Sequence, residues 1–541
     1  MMYSYSKKPT GTWVIAALIC AAAAAGILFI SMVQGPGVGG DATIYITSAR
    51  NLLEGNGLGL INAAGEFRLI PYFPPFYSLV LAFFGLFTSN LTMVAMILNM
   101  VLAAGLVFLI TFWTIRISEK LFPGVLLGLL LGGSPILVPA YSWAMSEPLA
   151  ILLGFAGLIL LEKSLVEDLR FAFWCSAVLL GLSFLTRYSS TAFIGAAVLL
   201  IFCFEGETFR DRFLSAFCYG LVSAVPMIVW LVIDFTQTKT VASRSMISGR
   251  TAALWAAFVS KIKHVFSLWL LPESLAAKMP GFLVTLVSIF IVIFLAGSLA
   301  GSVIALRGKT RYPRYARMFF LLSAFSLVYL LLIVIVSLRT YPPITINTRM
   351  LLPVYIAVFF LIYLLFALFG EYNHRISREF VFNTALFLFM IFSVYRGVRI
   401  ANQNAIDGLG YNAVEWKESQ TVAYIRANIP ADAEIVTNEE TALLYLLDRR
   451  TWPMHEVYVS EPDAEYYAYE SDTAAENDRS RQVFRAGGAY LAVFDTFESQ
   501  MADIYGSDAP ERIEKLLGNL ELLFKGDDGR IYVLKTGNAT D

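Results

Sequence analysis

Long apolar stretches alternate with short polar connections along most of the chain. Each stretch is close to the roughly 17–25 residues that an α-helix needs to cross the apolar core of a bilayer. The pattern therefore predicts a polytopic α-helical membrane protein with about 11 transmembrane helices. The predicted spans are 12–33, 91–115, 121–139, 148–162, 171–186, 188–204, 213–233, 281–305, 318–338, 350–370 and 380–397.

One further apolar segment, PPFYSLVLAFFGLFT (74–88), is short and begins with two prolines. We predict that it forms an interfacial or re-entrant helix in the first outer loop. With the N-terminus in the cytoplasm, every short basic loop then falls on the cytoplasmic side, as the positive-inside rule requires. If 74–88 were a full span, several of these loops would lie outside. The odd number of spans places the C-terminus outside the cytoplasm.

Residues 401–541 differ from the rest because they are rich in charge and contain no long apolar run. The segments AEIVTN, AYLAVFD and RIYVLKT have the pattern of short strands. The segments AVEWKESQTVAYIRANIP and EETALLYLL indicate helices. We therefore predict two domains, a transmembrane domain over 1–400 and a small extracytoplasmic α/β domain over 401–541.

The composition agrees with a membrane protein and reduces the number of chemical functions to consider. The 541 residues are 57% hydrophobic and 15% charged, with a mean hydropathy of +0.66 that soluble domains rarely reach. The net charge of −1 gives no indication of nucleic-acid binding. The four cysteines lie in apolar segments, which argues against a disulfide framework. The three histidines are far apart, so acid–base chemistry is expected to fall to carboxylates.

Asp41 opens the stretch GDATIYITSARNLLEGNGLGL, where the chain leaves the first predicted span. One interpretation makes it the N-cap of the interfacial helix that follows. The other makes it a general base, because a carboxylate at the membrane boundary can take a proton from an acceptor hydroxyl or amine. Tyr45 lies four residues later on the same helical face. The two roles are compatible, and both stay open at this point.

Glu147 stands at the outer start of a span, in WAMSEPLAILL. Ser146 or Glu147 before Pro148 is an ordinary helix start. Alternatively, Glu147 is a second catalytic acid that orients the acceptor, helps to bind a metal, or tunes the pKa of the first acid. No cofactor follows from the residues, and a divalent cation stays open.

Basic and aromatic residues also collect on the predicted outer face. Arg187, next to Tyr188, interrupts two apolar segments, and Arg349 has a similar position in NTRMLLPVY, with Arg339 and Tyr341 nearby. Such arginines are most often interfacial side chains that extend to water. A lipid phosphate is the alternative partner.

The segment 234–280 is the most basic predicted outer loop. Within it, TAALWAAFVSKIKHVFSLWLL places apolar residues on one face of a helix. We predict an amphipathic helix on the membrane surface, with headgroup attraction and a specific lipid site as open alternatives. The apolar face consists of Leu254, Trp255, Phe258, Ile262, Phe266 and Trp269. Together, the outer-face acids, arginines and interfacial helices indicate a cavity that handles an anionic lipid, which is the arrangement of a transferase.

Several segments, in their order and spacing, resemble the integral-membrane glycosyltransferases of the GT-C fold. The resemblance covers roughly 12–400, and the branch includes protein O-mannosyltransferases and the lipid A aminoarabinose transferase. The segments are GDATIYITSARNLLEGNGL, PYFPPFYSLVLAFFGLF, WAMSEPLAILL, GLSFLTRYSS and NTRMLLPVY.

This resemblance implies transfer of a sugar from a polyprenyl-monophosphate carrier to an extracytoplasmic acceptor, an envelope glycan, lipid or protein. It also implies a multi-pass protein of the plasma (inner) membrane, with the bilayer, the lipid-linked donor and the acceptor as partners and no nucleic acid. Inverting displacement at the anomeric carbon is the mechanism that we expect.

The resemblance also implies roles for individual residues. Asp41 matches the first-loop acid that is taken as the general base, and Glu147 matches the acidic position of the second outer loop. Arg187 and Arg349 match basic positions able to hold the lipid phosphate. Many relatives carry a second acid near the first, whereas Ala42 and Thr43 stand here, which argues against a two-acid metal site in this loop.

Three rival functions follow from the same pattern. A transporter or flippase for a lipid-linked sugar or anionic lipid would favour charged residues at mid-membrane and an internal repeat, and neither is evident. A non-catalytic membrane scaffold would leave the outer-face acids and arginines without a task. An oligosaccharyltransferase that uses a pyrophosphate-linked donor would be expected to have more acids and a larger exported domain.

Overall fold

The computed structural model describes residues 10–70, 73–238, 245–246, 252–308, 310, 312–341, 346–372, 376–454, 480, 482–484, 486–517 and 520–534. Most of them are helical. The helices are α1 (Gly11–Ser31), α2 (Gly40–Leu53), α3 (Phe76–Gly85), α4 (Leu91–Ser118), α5 (Leu121–Gly132), α6 (Leu137–Tyr141), α7 (Glu147–Glu167), α8 (Arg170–Thr186), α9 (Thr191–Phe204), α10 (Phe209–Thr238), α11 (Ala252–Leu270), α12 (Glu273–Ala276), α13 (Gly281–Arg307), α14 (Pro313–Arg339), α15 (Thr348–Tyr372), α16 (Ile376–Asp407), α17 (Val414–Lys417), α18 (Gln420–Asn428), α19 (Glu440–Leu447), α20 (Thr496–Tyr505) and α21 (Ala509–Leu517).

The strands are short and fall into three sheets. A hairpin pairs β1 (Gly59–Ile61) with β2 (Phe67–Leu69), and a second short pair joins β3 (Ser245–Met246) to β4 (Thr340–Tyr341). The strands of the third and largest sheet are β5 (Ile435–Thr437), β6 (Trp452–Pro453), β7 (Tyr490–Phe494), β8 (Leu520–Lys525) and β9 (Gly529–Leu534).

The predicted polytopic helical fold is confirmed, because in the described part of the chain eight helices are long and apolar enough to cross a membrane. These eight are α1, α4, α7, α10, α13, α14, α15 and α16. Four shorter apolar helices accompany them, and three of these cover the remaining predicted spans. The fourth is α3, which has 10 residues where the sequence predicts an interfacial or re-entrant helix. The count of about 11 spans stays a prediction.

The predicted span 121–139 is broken in the structure. Helix α5 ends at Gly132 with Gly133 as its C-cap, and the chain turns through Ser134 and Pro135 before α6 begins at Leu137. The Ser134 hydroxyl accepts the amide protons of Ile136 and Leu137 at 3.1 and 3.3 Å. Hydropathy alone does not detect this turn, because a side chain satisfies the backbone groups that the helix leaves unpaired.

Close helix packing fixes this turn against α16. A Cβ atom added to Gly397 would collide with the backbone carbonyl of Gly133. Small residues allow such backbone contacts between helices in membranes. Gly397 therefore brings α16 directly against the turn between α5 and α6.

Helix α11 forms in the basic segment as the pattern predicts, but its apolar face does not simply lie on a membrane surface. Phe258, Phe266 and Trp269 are buried, since α11 packs against α13 and α15. The Trp269 ring meets Tyr355 of α15 with the ring centroids 5.4 Å apart. Trp255 is exposed, and the side chain of Leu254 lies outside the described part of the structure.

The chain divides into two compact units. The first contains residues 1–36 and 71–406, and the second contains 37–70 and 407–541. Residues 37–70 of the first loop therefore belong to the same unit as the C-terminal region.

The second unit contains a small α/β domain, as the sequence predicts. Its five strands lie in the order β6-β5-β7-β9-β8. Strand β5 is parallel to β6 and β7, whereas β9 is antiparallel to β7 and β8. Alternate residues of β7 point to opposite faces: Leu491 and Val493 join one core cluster with Phe497 and Met501 of α20, and Ala492 and Phe494 join another with α18 and α19. Helices therefore cover both faces of the sheet.

The first-loop residues of the second unit pack on this domain. Val38 forms a β-bridge with Gly410, and its carbonyl accepts the Tyr411 amide proton at 2.7 Å. Helix α2 packs against α19. The Asn51 amide of α2 donates to the Gly59 carbonyl of the hairpin at 2.7 Å. The hairpin between β1 and β2 was not expected from the sequence, because its strands have only three residues each.

Candidate functional site

Glu147 begins helix α7 of the first unit. Ser146 is at the N-cap and Pro148 follows in the first turn, which confirms the helix start that the sequence predicts. Glu147 is buried, with 2% of the residue's surface exposed. Glu147 therefore lies at the N-terminal end of a helix, where the helix dipole is positive.

The turn that precedes Glu147 is held by buried polar side chains of other helices. The Asn99 side-chain amide of α4 donates to the carbonyls of Tyr141 and Trp143 at 3.0 and 2.6 Å. The Ser31 hydroxyl of α1 lies 2.7 Å from the Ser142 hydroxyl. These contacts satisfy the backbone groups of a non-helical turn inside the helix bundle. The position of Glu147 therefore depends on α1 and α4 as well as on α7.

Arg187 reaches Glu147 from the end of α8. Its backbone is extended, which ends the helix at Thr186 and leads into a short 3₁₀ turn. One Arg187 nitrogen, Nη1, lies 2.9 Å from Glu147 Oε1. The same nitrogen donates to the Ser146 hydroxyl at 3.2 Å.

Arg349 reaches the same carboxylate from the start of α15. The Asn347 side chain accepts the Met350 amide proton at 3.0 Å and caps the first turn of this helix. The Tyr329 hydroxyl of α14 donates to the Met350 carbonyl at 2.7 Å. With the turn held in this way, Arg349 Nε lies 3.0 Å from Glu147 Oε1.

We call Glu147, Arg187 and Arg349 the charge triad. Both guanidinium groups approach one carboxylate oxygen, in ion pairs rather than in aligned hydrogen bonds. The Glu147 side chain is 3% exposed, whereas those of Arg187 and Arg349 are 25% and 29% exposed. The cavity beside the triad measures about 10 Å³, which is room for about one water molecule. The triad is thus a compact ion cluster with a formal charge of +1 and two arginines that a ligand can reach.

The remaining predicted residues of the first unit lie elsewhere. Tyr188 lies near Asp234 and Trp230 of α10 and is not among the residues that line the triad cavity. Arg339 is at the exposed end of α14. Tyr341 is in β4, where its backbone pairs with Ser245, and its side chain lies outside the described part of the structure.

Asp41 and Tyr45 both lie on helix α2 of the second unit. The interpretation of Asp41 as an N-cap is wrong, because the helix begins at Gly40 and the N-cap is Gly39. Asp41 lies in the first turn and is half-buried, whereas Tyr45 is 1% exposed. Gly39, which has an extended backbone, is the N-cap two residues before Asp41, so Asp41 lies near the positive end of the helix dipole without capping the helix.

Polar side chains of the α/β domain lie close to the start of α2. A Cβ atom added to Gly40 would lie 3.9 Å from the Thr441 hydroxyl, and that hydroxyl is 2.7 Å from the Tyr411 hydroxyl. The Thr496 hydroxyl donates to Glu439 at 2.6 Å. Burial raises the pKa of both Tyr411 and Glu439. Helix α2 packs against α19, which carries Thr441, so these side chains lie beside the backbone that carries Asp41.

Sequence reasoning missed the side chains that support the triad. Asn99 and Tyr329 stand within long apolar helices, and the sequence around Ser146 indicates only a helix start. An amide or a phenol inside a predicted span is a signal, because a buried polar group in a membrane needs a partner. The partners themselves come from distant segments. In the described residues, no group of three or more His, Cys, Asp or Glu side chains is arranged to hold a metal ion.

No protein-family model matches the sequence, and no curated protein sequence matches it. Solved structures do. The chain superposes on ArnT from Cupriavidus metallidurans bound to undecaprenyl phosphate with a TM-score of 0.54 and 12% identity, over 98% of this chain and 100% of that one. The chain has a GT-C-like fold.

Two other solved structures share this fold. The archaeal oligosaccharyltransferase AglB from Archaeoglobus fulgidus, in complex with an inhibitory peptide and a dolichol-phosphate, matches with a TM-score of 0.52 and 11% identity, over 97% of this chain and 74% of that one. The arabinofuranosyltransferase AftD from Mycobacteria matches with a TM-score of 0.51 and 12% identity, over 100% of this chain and 41% of that one. The fold predicted from the sequence motifs is therefore confirmed.

Proposed function

We propose that this protein is a glycosyltransferase that moves a sugar from a polyprenyl-monophosphate donor to an acceptor outside the cytoplasm. The observation that carries the proposal is the GT-C-like fold, which extends over the whole length of ArnT, a protein solved with undecaprenyl phosphate. The apolar helices provide the environment in which a polyprenyl chain would lie.

The proposed phosphate ligands are Arg187 and Arg349. Guanidinium groups bind phosphate oxygens through charge-assisted hydrogen bonds and stay protonated under all ordinary conditions. Both side chains keep a quarter or more of their surface exposed beside a buried carboxylate. The low dielectric constant of the surrounding helices strengthens their attraction for an anion.

The proposed general base is Asp41. The acceptor oxygen or nitrogen attacks the anomeric carbon, and the bond from that carbon to the phosphate oxygen breaks. The phosphate oxygen keeps the electron pair, and the acceptor proton passes to the Asp41 carboxylate. This direct displacement inverts the anomeric centre. The half-buried position of Asp41 in the first turn of α2 supports the role, because the residue keeps part of its surface accessible to an acceptor.

Glu147, expected from the sequence as a second catalytic acid, is proposed instead to orient the two arginines. Its carboxylate contacts both guanidinium groups at 2.9 and 3.0 Å. A carboxylate shared in this way restricts the long arginine side chains before a ligand arrives, which reduces the entropy that binding would cost.

The decisive experiment compares wild type with Asp41→Asn in lipid nanodiscs. Both proteins receive a panel of undecaprenyl-monophosphate sugars and candidate envelope acceptors, and mass spectrometry detects the transferred sugar. Asn cannot accept the proton, so we expect the rate to fall by about 10²- to 10⁴-fold while the melting temperature stays unchanged. Asp448→Asn is the matched control, because Asp448 is an exposed acid of the same unit whose only ion pair in the described residues is with Arg50 of α2.

Each outcome bears on a different part of the proposal. Full activity in Asp41→Asn would show that Asp41 is not the general base. The proposal that the protein is a transferase would still stand. A wild-type protein that turns over no donor would overturn the transferase, and movement of lipid-linked sugar between leaflets would then be measured as evidence for a transporter.

A further inference from the structure

The charge triad has an odd feature for a phosphate site, because a buried acid is built into it. Glu147 is 2% exposed, and both arginines contact its Oε1 atom. Water screens a buried charge much less than an exposed one. Glu147 therefore removes one unit of the positive charge that Arg187 and Arg349 would otherwise present.

We propose that Glu147 sets the charge of the phosphate site so that it binds a phosphodiester monoanion and releases a phosphate monoester dianion. This inference rests on the proposed function and assigns Glu147 a task in substrate choice and product release. The ligand class is a lipid phosphodiester, in which one phosphate oxygen carries the sugar and another the polyprenyl chain.

The argument follows from the charge of the lipid before and after transfer. The phosphodiester carries one negative charge, and the monoester left after displacement carries nearly two above neutral pH, since its second pKa is about 6. Coulomb attraction scales with the product of the charges. At a site of charge +1 the product gains one unit of attraction over the donor, whereas at a site of charge +2 it would gain two. Glu147 thus limits how tightly the spent carrier is held.

The nearest phenols do not change this charge count. Tyr141 and Tyr329 both lie close enough to Glu147 to interact with it electrostatically. Each is a neutral hydroxyl, and the Tyr329 hydroxyl is engaged by the Met350 carbonyl. The formal charge of the triad is then set by its three members.

The test measures the affinity of two non-reacting lipids for the full-length protein in nanodiscs at pH 8. The first lipid is undecaprenyl phosphate, a dianion, and the second is undecaprenyl methyl phosphate, a monoanion without a sugar. The measured quantity is the ratio of the two dissociation constants, diester over monoester. Wild type has a triad charge of +1, Glu147→Gln has +2, and Arg187→Gln has 0. Glu147→Asp keeps +1.

We expect the ratio to rise by roughly tenfold or more in Glu147→Gln and to fall by a similar factor in Arg187→Gln, because each substitution changes the site by one unit charge. Glu147→Asp should keep the wild-type ratio. The double variant Glu147→Gln with Arg187→Gln has a charge of +1 again and should return to the wild-type ratio. Because Arg187→Gln moves the ratio in the opposite direction, the proposal remains testable even if Glu147→Gln does not fold.

A purely orienting role gives a different result. If Glu147 only held the arginines in place, its substitution would weaken both lipids by the same factor and leave the ratio unchanged, which would overturn the charge proposal. Failure of the proposed function is distinct, because wild type would then transfer no sugar from any donor of the panel, whatever the ratio of its two dissociation constants.

Discussion

Two acids, Glu147 and Asp41, lie in the first turn of a helix, and both were expected to act in catalysis. Glu147 is almost completely buried in the first unit and contacts two arginines. Asp41 is half-buried in the second unit, on a helix that packs against the α/β domain. The same local pattern therefore produces a fixed partner for cations in one place and an accessible carboxylate in the other.

The difference shows that the first turn of a helix does not determine the role of an acid. Both acids lie near the positive end of a helix dipole. Burial and neighbouring charges distinguish the two: an acid that two cations already contact is a poor proton acceptor, whereas a more exposed acid suits a general base. Three experiments test this contrast, from the largest expected effect to the smallest.

Alanine substitution should lower the free energy of unfolding much more at Glu147 than at Asp41. Glu147→Ala leaves two arginines facing each other in a partly buried site, so we expect a loss of about 3 kcal/mol in the free energy of unfolding, the lower end of the range for a broken buried ion pair. Asp41→Ala should cost less than about 1 kcal/mol. Thermal and denaturant unfolding of both variants in the same nanodiscs measures the difference, and equal losses would contradict the contrast.

Removal of an arginine should affect donor binding without affecting the acceptor. Arg349→Gln keeps a polar side chain but loses the charge, so we expect the KM for the lipid-linked donor to rise by about 10- to 100-fold, the usual value of a hydrogen bond to a charged group. The KM for the acceptor should stay the same. Arg399→Gln, an exposed arginine of α16, is the control. A rise in the acceptor KM instead would indicate that Arg349 binds the acceptor rather than the donor.

The anchoring of the Asp41 helix should give the smallest effect. Tyr411→Phe removes the hydrogen bond to Thr441 and should cost about 1 kcal/mol. Hydrogen exchange should then increase across 40–53, while 142–150, which carries Glu147, keeps its protection. Tyr424→Phe is the control, because the Tyr424 ring stacks on Phe524 and no hydrogen bond of its hydroxyl is found in the described residues. Increased exchange in both segments would mean that the two acids do not depend on separate supports.

The sequence by itself determined the helical membrane architecture, the α/β domain and the positions of the charged residues at helix ends. Each of these follows from local properties: the length of apolar runs, the short apolar run of β7, and the helix start at Ser146–Pro148. The motif resemblance reached the same fold that the solved structures share.

Only the tertiary structure decided which of these residues meet. Glu147, Arg187 and Arg349 are separated by 40 to about 200 positions, and no periodicity links residues on three different helices. The same holds for the first loop, whose residues 37–70 join the C-terminal domain through Val38 and Tyr411. The turn at Ser134 was hidden for a related reason, since a side chain replaces the lost helical hydrogen bonds. Local patterns predict where a helix begins, whereas ion pairing and packing between distant segments depend on how the whole chain folds.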